Sequence, residues 1–346
     1  MIDAYADAGV DTAQSDRGVR ALVDVLRTID TGRPSRSVLV GGHYAAVLEI
    51  APGLGLALCT DGVGSKLILA EQLGRLDTVG IDCVAMNVND IICVGAEPVA
   101  MVDYIAVEAV DASALAQIGA GLKRGAELAG VEIPGGELAV LPELIRGHPS
   151  PHGFELSGTA VGTVALEALV TGAACAAGDA LIGLPSSGLH SNGYTLARRV
   201  SEGRLHERPA ALGGASVGEA LLEPTAIYVR AVGALLASGA QVRGLAHITG
   251  DGVLNLRRLN ERVGFLIDAP LAVPAICSWL CEAGSIGVAH AYQVFNMGCG
   301  FVVAVAAADA TAAVDVLAGF HPGARVIGSV TGAPGSVTLP SLGVSF

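Results

Sequence analysis

Three short segments within residues 60–98 carry three aspartates, an asparagine, a lysine and a glycine turn. They read Thr60-Asp-Gly-Val-Gly-Ser-Lys66, Gly80-Ile-Asp82 and Val88-Asn-Asp-Ile-Ile-Cys-Val-Gly-Ala-Glu-Pro98. These residue types could hold a metal–polyphosphate complex. Asp61, Asp82 and Asp90 offer hard oxygen ligands to Mg²⁺, an ion that favours carboxylates and keeps several waters. Gly62 and Gly64 would let backbone N–H groups approach phosphate oxygens, and Lys66 would add a point charge. The chain has only two lysines, Lys66 and Lys123, against 18 arginines, which singles out a lysine ending a glycine turn. The plainer alternatives are a surface turn with a solvated lysine and an Asn89-Asp90 pair that caps a turn. Apolar runs on both sides of Asn89-Asp90 speak against the second.

Positioning such groups requires regular elements. Short β-branched runs predict strands over 37–40, 54–60, 98–105, 158–164, 180–184 and 301–306. Alanine- and leucine-rich runs predict helices over 18–27, 66–72, 78–93, 112–128, 192–201, 224–238, 274–283 and 308–318. The alternation favours a mixed α/β or α+β architecture. On a helix over 78–93, Asp82, Asn89 and Asp90 stand at i, i+7 and i+8 and project from roughly one face. A polar edge on so apolar a helix is costly unless its groups are paired or metal-bound.

With 346 residues the chain can carry two cores, and the break in composition near 165–179 divides it into 1–165 and 166–346. Hydrophobic residues make up 52% of it, too many for a disordered chain. The apolar runs are strand-length, short of the roughly 18–20 residues that span a bilayer. The acidic N-terminus lacks the basic start and apolar core of a signal peptide, so a cytoplasmic location is expected. A net charge of −13 with no Lys/Arg stripe excludes nucleic acid as a partner. The seven cysteines are scattered, and Cys277 and Cys281, four apart with no second pair nearby, read as helix packing in a reduced protein.

In the second half, Ser186-Ser-Gly-Leu-His-Ser-Asn-Gly-Tyr194 sets small residues, His190, Ser191 and Asn192 before a helix. That loop suits substrate contact, with His190 binding a phosphate or shuttling a proton. Asn192 as an N-cap explains part of the pattern only. His247-Ile-Thr-Gly-Asp-Gly252 is a second glycine turn with a titratable ring, and a helix from Leu254 could present its N-terminus to an anion, an arrangement that Asp251 opposes. Asn296, in Phe295-Asn-Met-Gly-Cys-Gly300, could bond a ligand or serve a tight turn.

Taken in order, these segments resemble the aminoimidazole ribonucleotide synthetase (phosphoribosylformylglycinamidine cyclo-ligase) family. The likeness runs through Tyr5–Asp11, Asp61–Lys66, Asp77–Asp82, Val88–Asp90, Gly95–Pro98, Gly135–Glu137, Ser186–Tyr194, Glu223–Thr225, Ala246–Gly250 and Phe295–Gly300. One glycine motif would be weak, but ten segments in one order are specific. The resemblance implies an N-terminal α/β domain and a C-terminal α+β domain, with homodimerisation through N-terminal sheets that close into a barrel. It implies ATP and Mg²⁺ as cofactors and cyclisation of formylglycinamidine ribonucleotide to aminoimidazole ribonucleotide with release of ADP and phosphate. By the same resemblance, Gly41, Gly42, Asp61, Gly62, Gly64, Lys66, Asn89 and Glu137 would bind the nucleotide. Ser187, His190, Ser191, Asn192, Thr249 and Asn296 would bind substrate, Lys66, Asp90, His190 and His247 would be catalytic, and Asp61, Asp82 and Asp90 would hold metal.

Departures mark a divergent branch, similar to archaeal members. Leu138 stands where a threonine follows the Gly-Gly-Glu motif, His43-Tyr44 where the family carries Phe-Gly, and Asp251 where it carries a third glycine. Two other readings compete. One is a sister ATP-using enzyme, thiamine-phosphate kinase-like or selenophosphate synthetase-like, although the latter's early Cys is missing, since the first here is Cys59. The other is a non-catalytic nucleotide-binding paralogue, which would bind ATP without substrate-dependent turnover.

Overall fold

The computed structural model describes residues 12–39 and 42–346, and forms two mixed sheets with helices packed on them. Gly41 and the Tyr5–Asp11 segment lie outside the described residues. The first sheet has the order β1-β2-β5-β3-β4, from β1 (Ala46–Ala51), β2 (Leu54–Gly62), β3 (Glu97–Val107), β4 (Glu132–Val140) and β5 (Phe154–Ala165). The second follows in sequence, ordered β12-β11-β8-β10-β6-β9-β7. Its strands are β6 (Ala180–Pro185), β7 (Val242–His247), β8 (Gly264–Ile267), β9 (Cys299–Val305), β10 (Arg325–Thr331), β11 (Val337–Leu339) and β12 (Val344–Ser345).

Period-2 alternation builds the first sheet. On β5, Leu156, Gly158, Ala160, Gly162 and Val164 are buried while Ser157, Thr159, Val161 and Thr163 are only partly covered. The buried face meets helix α3 (Val79–Ile92), which in turn packs on α4 (Ala112–Ala129). The other face stays open, with Val102 46% and Tyr104 41% exposed. The sheet ends at edge strands β1 and β4 and does not close on itself, so the barrel implied by the resemblance is not present in a single chain.

Helix α3 is buried nearly all round because it has neighbours on every side: the sheet, α4, strand β7 and helix α7 (Val229–Ala237) of the second half. It meets α4 at backbone distance. A Cβ on Gly80 would sit 2.2 Å from Leu122 N, and one on Gly121 would sit 2.5 Å from the Asp77 carbonyl. Only glycine fits there.

Of the predicted elements, the strand over 37–40 shrinks to a single bridge from Ser37 to Leu48. The segment after Thr249 forms a 3₁₀ turn, Gly252–Arg258, in place of an α-helix. The helix expected from Asn192 begins at Tyr194 with Gly193 as its N-cap, so Asn192 caps nothing. The helix expected from Pro224 begins at Val229.

Candidate active site

The two halves meet along α3, and each polar side chain of that helix has its own destination. Asp82 is fully buried and accepts from four donors at Oδ1: Lys66 Nζ at 2.9 Å, Ser191 Oγ at 3.1 Å, Thr225 N at 2.8 Å and Thr225 Oγ1 at 2.7 Å. Lys66, the first residue of helix α2 (Lys66–Leu73), is equally buried and donates also to the carbonyls of His190 (3.0 Å) and Glu223 (2.8 Å). Burial lowers the Lys66 pKa, and the Asp82 charge opposes that shift. This corrects two expectations. Lys66 is no phosphate contact and Asp82 no metal ligand, since all their polar atoms face each other and the second half. An ammonium drawn into a dry interior needs such partners.

Asn89, one of the expected nucleotide contacts, is likewise spent on the seam. Its Nδ2 donates to the Ala226 carbonyl (2.9 Å) and its Oδ1 accepts from Tyr228 N (3.0 Å). Asp90, one residue on, emerges on a different side. Its Oδ1 is 2.9 Å from His247 Nδ1, at the end of β7, and its Oδ2 is 3.7 Å from Cys59 Sγ. Asp61, near the end of β2, shares this place. Burial raises its pKa first and the Asp90 charge second, while the Gly62 N–H bond (2.7 Å) and the charges of His247 and Arg258 lower it. The Asp61 carbonyl takes a bond from Asn87 Nδ2 at 3.1 Å, which ties the strand end to α3. Asp61, Asp90 and His247 therefore converge from three elements across the seam.

Among the described residues, no three His, Cys, Asp or Glu side chains gather to hold a metal ion. Of the three aspartates expected to hold metal, Asp82 turns to Lys66, and only Asp61 and Asp90 share one place. The glycine turn is also narrower than expected. Gly62 is paired in β2, and its N–H is taken by Asp61; Gly64 (φ +70°) and Ser65 remain at the start of α2 with open space over Gly64. Gly42 (φ +99°) is exposed, with nothing crowding its Cα. Glu137 pairs across from Tyr104 and is exposed with it on the open face of the sheet, the side opposite Asp61.

The 186–192 loop is built inward. His190 is 1% exposed, and burial, then the charges of His247 and Lys66, hold its pKa well below the usual value. Its Nε2 accepts from Ser187 N (3.2 Å) and Ala226 N (3.5 Å), which places the proton of the neutral ring on Nδ1. A neutral, sealed imidazole is neither a phosphate-binding cation nor a solvent-facing shuttle. Its left-handed backbone (φ +65°) accompanies the inward carbonyl that meets Lys66. Ser187 Oγ donates to the Pro224 carbonyl, and Ser191 Oγ serves Asp82 and Thr225. Asn296 clasps the same loop, donating to the Gly188 and Leu189 carbonyls and accepting from Ser186 Oγ and Gly298 N. Ser187, His190, Ser191 and Asn296 thus shape the loop.

Asn192 and Thr249 are less committed. Asn192 is half-buried with only a long contact to Met86 Sδ (3.9 Å), and its Oδ1 faces Gly250; Thr249 Oγ1 reaches Asn255 Oδ1 at 3.3 Å. The seam also uses Thr225 and Tyr228, which sequence reasoning missed. Thr225 lay within a quoted motif, but nothing in its spacing tells of a partner more than a hundred residues away.

Two family models match the chain in succession. The model described as AIR synthase related protein, N-terminal domain, matches residues 42–164, and that of the C-terminal domain matches 176–339. Curated relatives named phosphoribosylformylglycinamidine cyclo-ligase include one from Methanosarcina acetivorans, 41% identical over 331 residues and 94% of each chain. Another, from Pyrococcus furiosus, is 41% identical over 347 residues and 99% of each chain. Among solved structures, hydrogenase maturation protein HypE in complex with ATP aligns with a TM-score of 0.61 at 20% identity, covering 87% of this chain and 86% of that one. Thiamine monophosphate kinase from Aquifex aeolicus aligns with a TM-score of 0.60 at 17% identity, covering 93% and 95%. At such identities these two speak for the fold alone.

Proposed function

The chain belongs to the AIR synthase related family, and from that premise we propose that it converts formylglycinamidine ribonucleotide and ATP to aminoimidazole ribonucleotide, ADP and phosphate. ATP phosphorylates the formyl oxygen, an amidine nitrogen attacks the activated carbon, and phosphate leaves as the ring closes. This is a cyclo-ligase step of purine biosynthesis, the activity for which the long relatives are named.

The observation that carries the reading to particular residues is the meeting of Asp61, Asp90 and His247 across the seam. Asp61 and Asp90 are close enough for one charge to raise the other's pKa, a conflict that a divalent cation would relieve. Two carboxylates suit Mg²⁺, which takes its remaining oxygens from phosphates and water. When bound, Mg²⁺ neutralises charge on the phosphates. His247, held through Nδ1, fixes the direction of the Asp90 carboxylate. The nucleotide domain comprises 1–165 and the second domain 166–346.

We assign the open face of the first sheet to a second copy of the chain. Leu54, Val99, Val102 and Tyr104 leave an apolar surface there that water covers poorly. Val102→Lys is expected to convert a dimer to a monomer in analytical ultracentrifugation; a variant that sediments like the parent chain would remove this assignment. No described helix is long and apolar enough to cross a membrane, and a cytoplasmic location suits the ATP-dependent reaction.

The function is tested by following phosphate and aminoimidazole ribonucleotide together, with ATP and Mg²⁺, in the presence and absence of formylglycinamidine ribonucleotide. Equal amounts of both products, dependent on substrate, are expected. Nucleotide binding with no substrate-dependent phosphate would overturn the assignment.

A further inference from the structure

With Lys66 sealed in the seam, the phosphate chemistry proposed above lacks the cation that the sequence seemed to supply. Asp61 and Asp90 bring negative charge, and a phosphate entering beside them needs a compensating group besides the metal. Two basic side chains lie near enough to Asp61 to act on it: His247 and Arg258. His247 is buried and already joined to Asp90. Arg258 is not buried, its side chain being 39% exposed.

Arg258 ends the 3₁₀ turn that follows the His247 loop. Its guanidinium carbon lies 5.2 Å from the centroid of the Tyr44 ring. That ring is buried, and its hydroxyl donates to the Asn255 carbonyl at 3.2 Å. Stacking on a ring anchored in this way fixes the plane of the guanidinium. One nitrogen, Nη2, is 3.3 Å from Oδ2 of Asp251, itself 60% exposed. Among the described residues the other guanidinium donors have no acceptor. A planar, oriented guanidinium with free donors matches a phosphate, which it can bind through two bonds at once.

We infer that Arg258 is the phosphate-contacting cation of this site, held ready by Tyr44 and by Asp251. The inference rests on the cyclo-ligase reading. It also gives Asp251 a place. An acid in a glycine turn that should welcome an anion looks misplaced until it is seen as the counter-ion that Arg258 exchanges for phosphate. Two phosphates are available to it: the γ-phosphate of ATP and the 5′-phosphate of the substrate.

The test compares parent, Arg258→Met, Arg258→Lys and Asp251→Asn. Calorimetry measures the Kd of Mg²⁺ complexes of β,γ-methylene-ATP and of ADP, and steady-state assays give KM for formylglycinamidine ribonucleotide. Loss of a charge-assisted contact corresponds to a weakening of about tenfold or more. If Arg258 meets the γ-phosphate, Arg258→Met weakens the ATP analogue by that factor and leaves ADP unchanged. If it meets the substrate phosphate, nucleotide binding is unchanged and KM rises by that factor. In either case Arg258→Lys recovers part of the loss, and Asp251→Asn tightens the same ligand. A folded Arg258→Met variant with parental Kd and KM throughout would overturn the inference and leave the cyclo-ligase reading standing. A parent chain that binds nucleotide but makes no product would instead defeat that reading.

Discussion

Lys66→Met is expected to cost about 3–5 kcal/mol of folding stability, the scale for a buried charge left without its partner. The methionine fills similar space but abandons the Asp82 carboxylate, which is fully buried, together with the inward carbonyls of His190 and Glu223. Urea denaturation of parent, Lys66→Met and Lys66→Met/Asp82→Asn measures this directly. The double variant should recover part of the loss. Its neutral amide oxygen still accepts from Thr225 N, while the stranded charge is gone. A phosphate contact at Lys66 predicts the opposite pattern: near-normal stability and weakened nucleotide binding. A Lys66→Met protein within about 1 kcal/mol of the parent, the ordinary scale of a point substitution, would return the lysine to the phosphate.

Asp61→Asn is expected to abolish turnover by about a hundredfold or more while stabilising the unliganded protein by about 0.5–2 kcal/mol. The asparagine oxygen still accepts from Gly62 N, so local geometry is kept. What disappears is a carboxylate that burial and Asp90 both disfavour in its charged form. The sign follows from linkage. Burial and the Asp90 charge hold the folded-state pKa of Asp61 above the usual carboxylate value. The folded protein therefore holds this proton to a higher pH than the unfolded chain, and ionisation at neutral pH subtracts from stability. The stabilising effect of Asn is then full at pH 7. It shrinks as the pH falls through the raised pKa and is gone below about pH 4, where both forms of the parent are protonated. Thermal melting across that range, alongside the product assay, checks both halves. Undiminished turnover would take Asp61 out of the metal and nucleotide machinery.

Much of the frame was legible in the residues. Five of the six β-runs became strands, the run over 37–40 did not, and the interior strand β10 was missed along with short and edge strands; the helix over 78–93 appears within a residue at each end, because its apolar pattern is continuous. The candidate site was legible in its residue types but not in its partners. Asp82, Asn89 and Asp90 do share one helix, yet one turn of rotation sends them to a lysine, to backbone groups of Ala226 and Tyr228, and to His247. Local spacing fixes which way a side chain leaves a helix, not what the rest of the chain puts there. Lys66 misled for the same reason: a lysine after a glycine turn reads alike whether it faces solvent or a carboxylate sixteen residues away. Arg258 escaped notice because its importance comes from Tyr44 and Asp251, one distant in sequence and the other a departure from the family pattern.

Helix α3 also bears on how the molecule comes apart. It belongs by sequence to the first half, yet Asp82 and Asn89 find acceptors and donors in the second, and its apolar sides support both. Pulling the halves apart would strip partners from buried polar groups on each side at once. The break between the two sheets is therefore a boundary of architecture and not of cooperativity: the chain has two domains but, through one shared helix, a single unfolding unit.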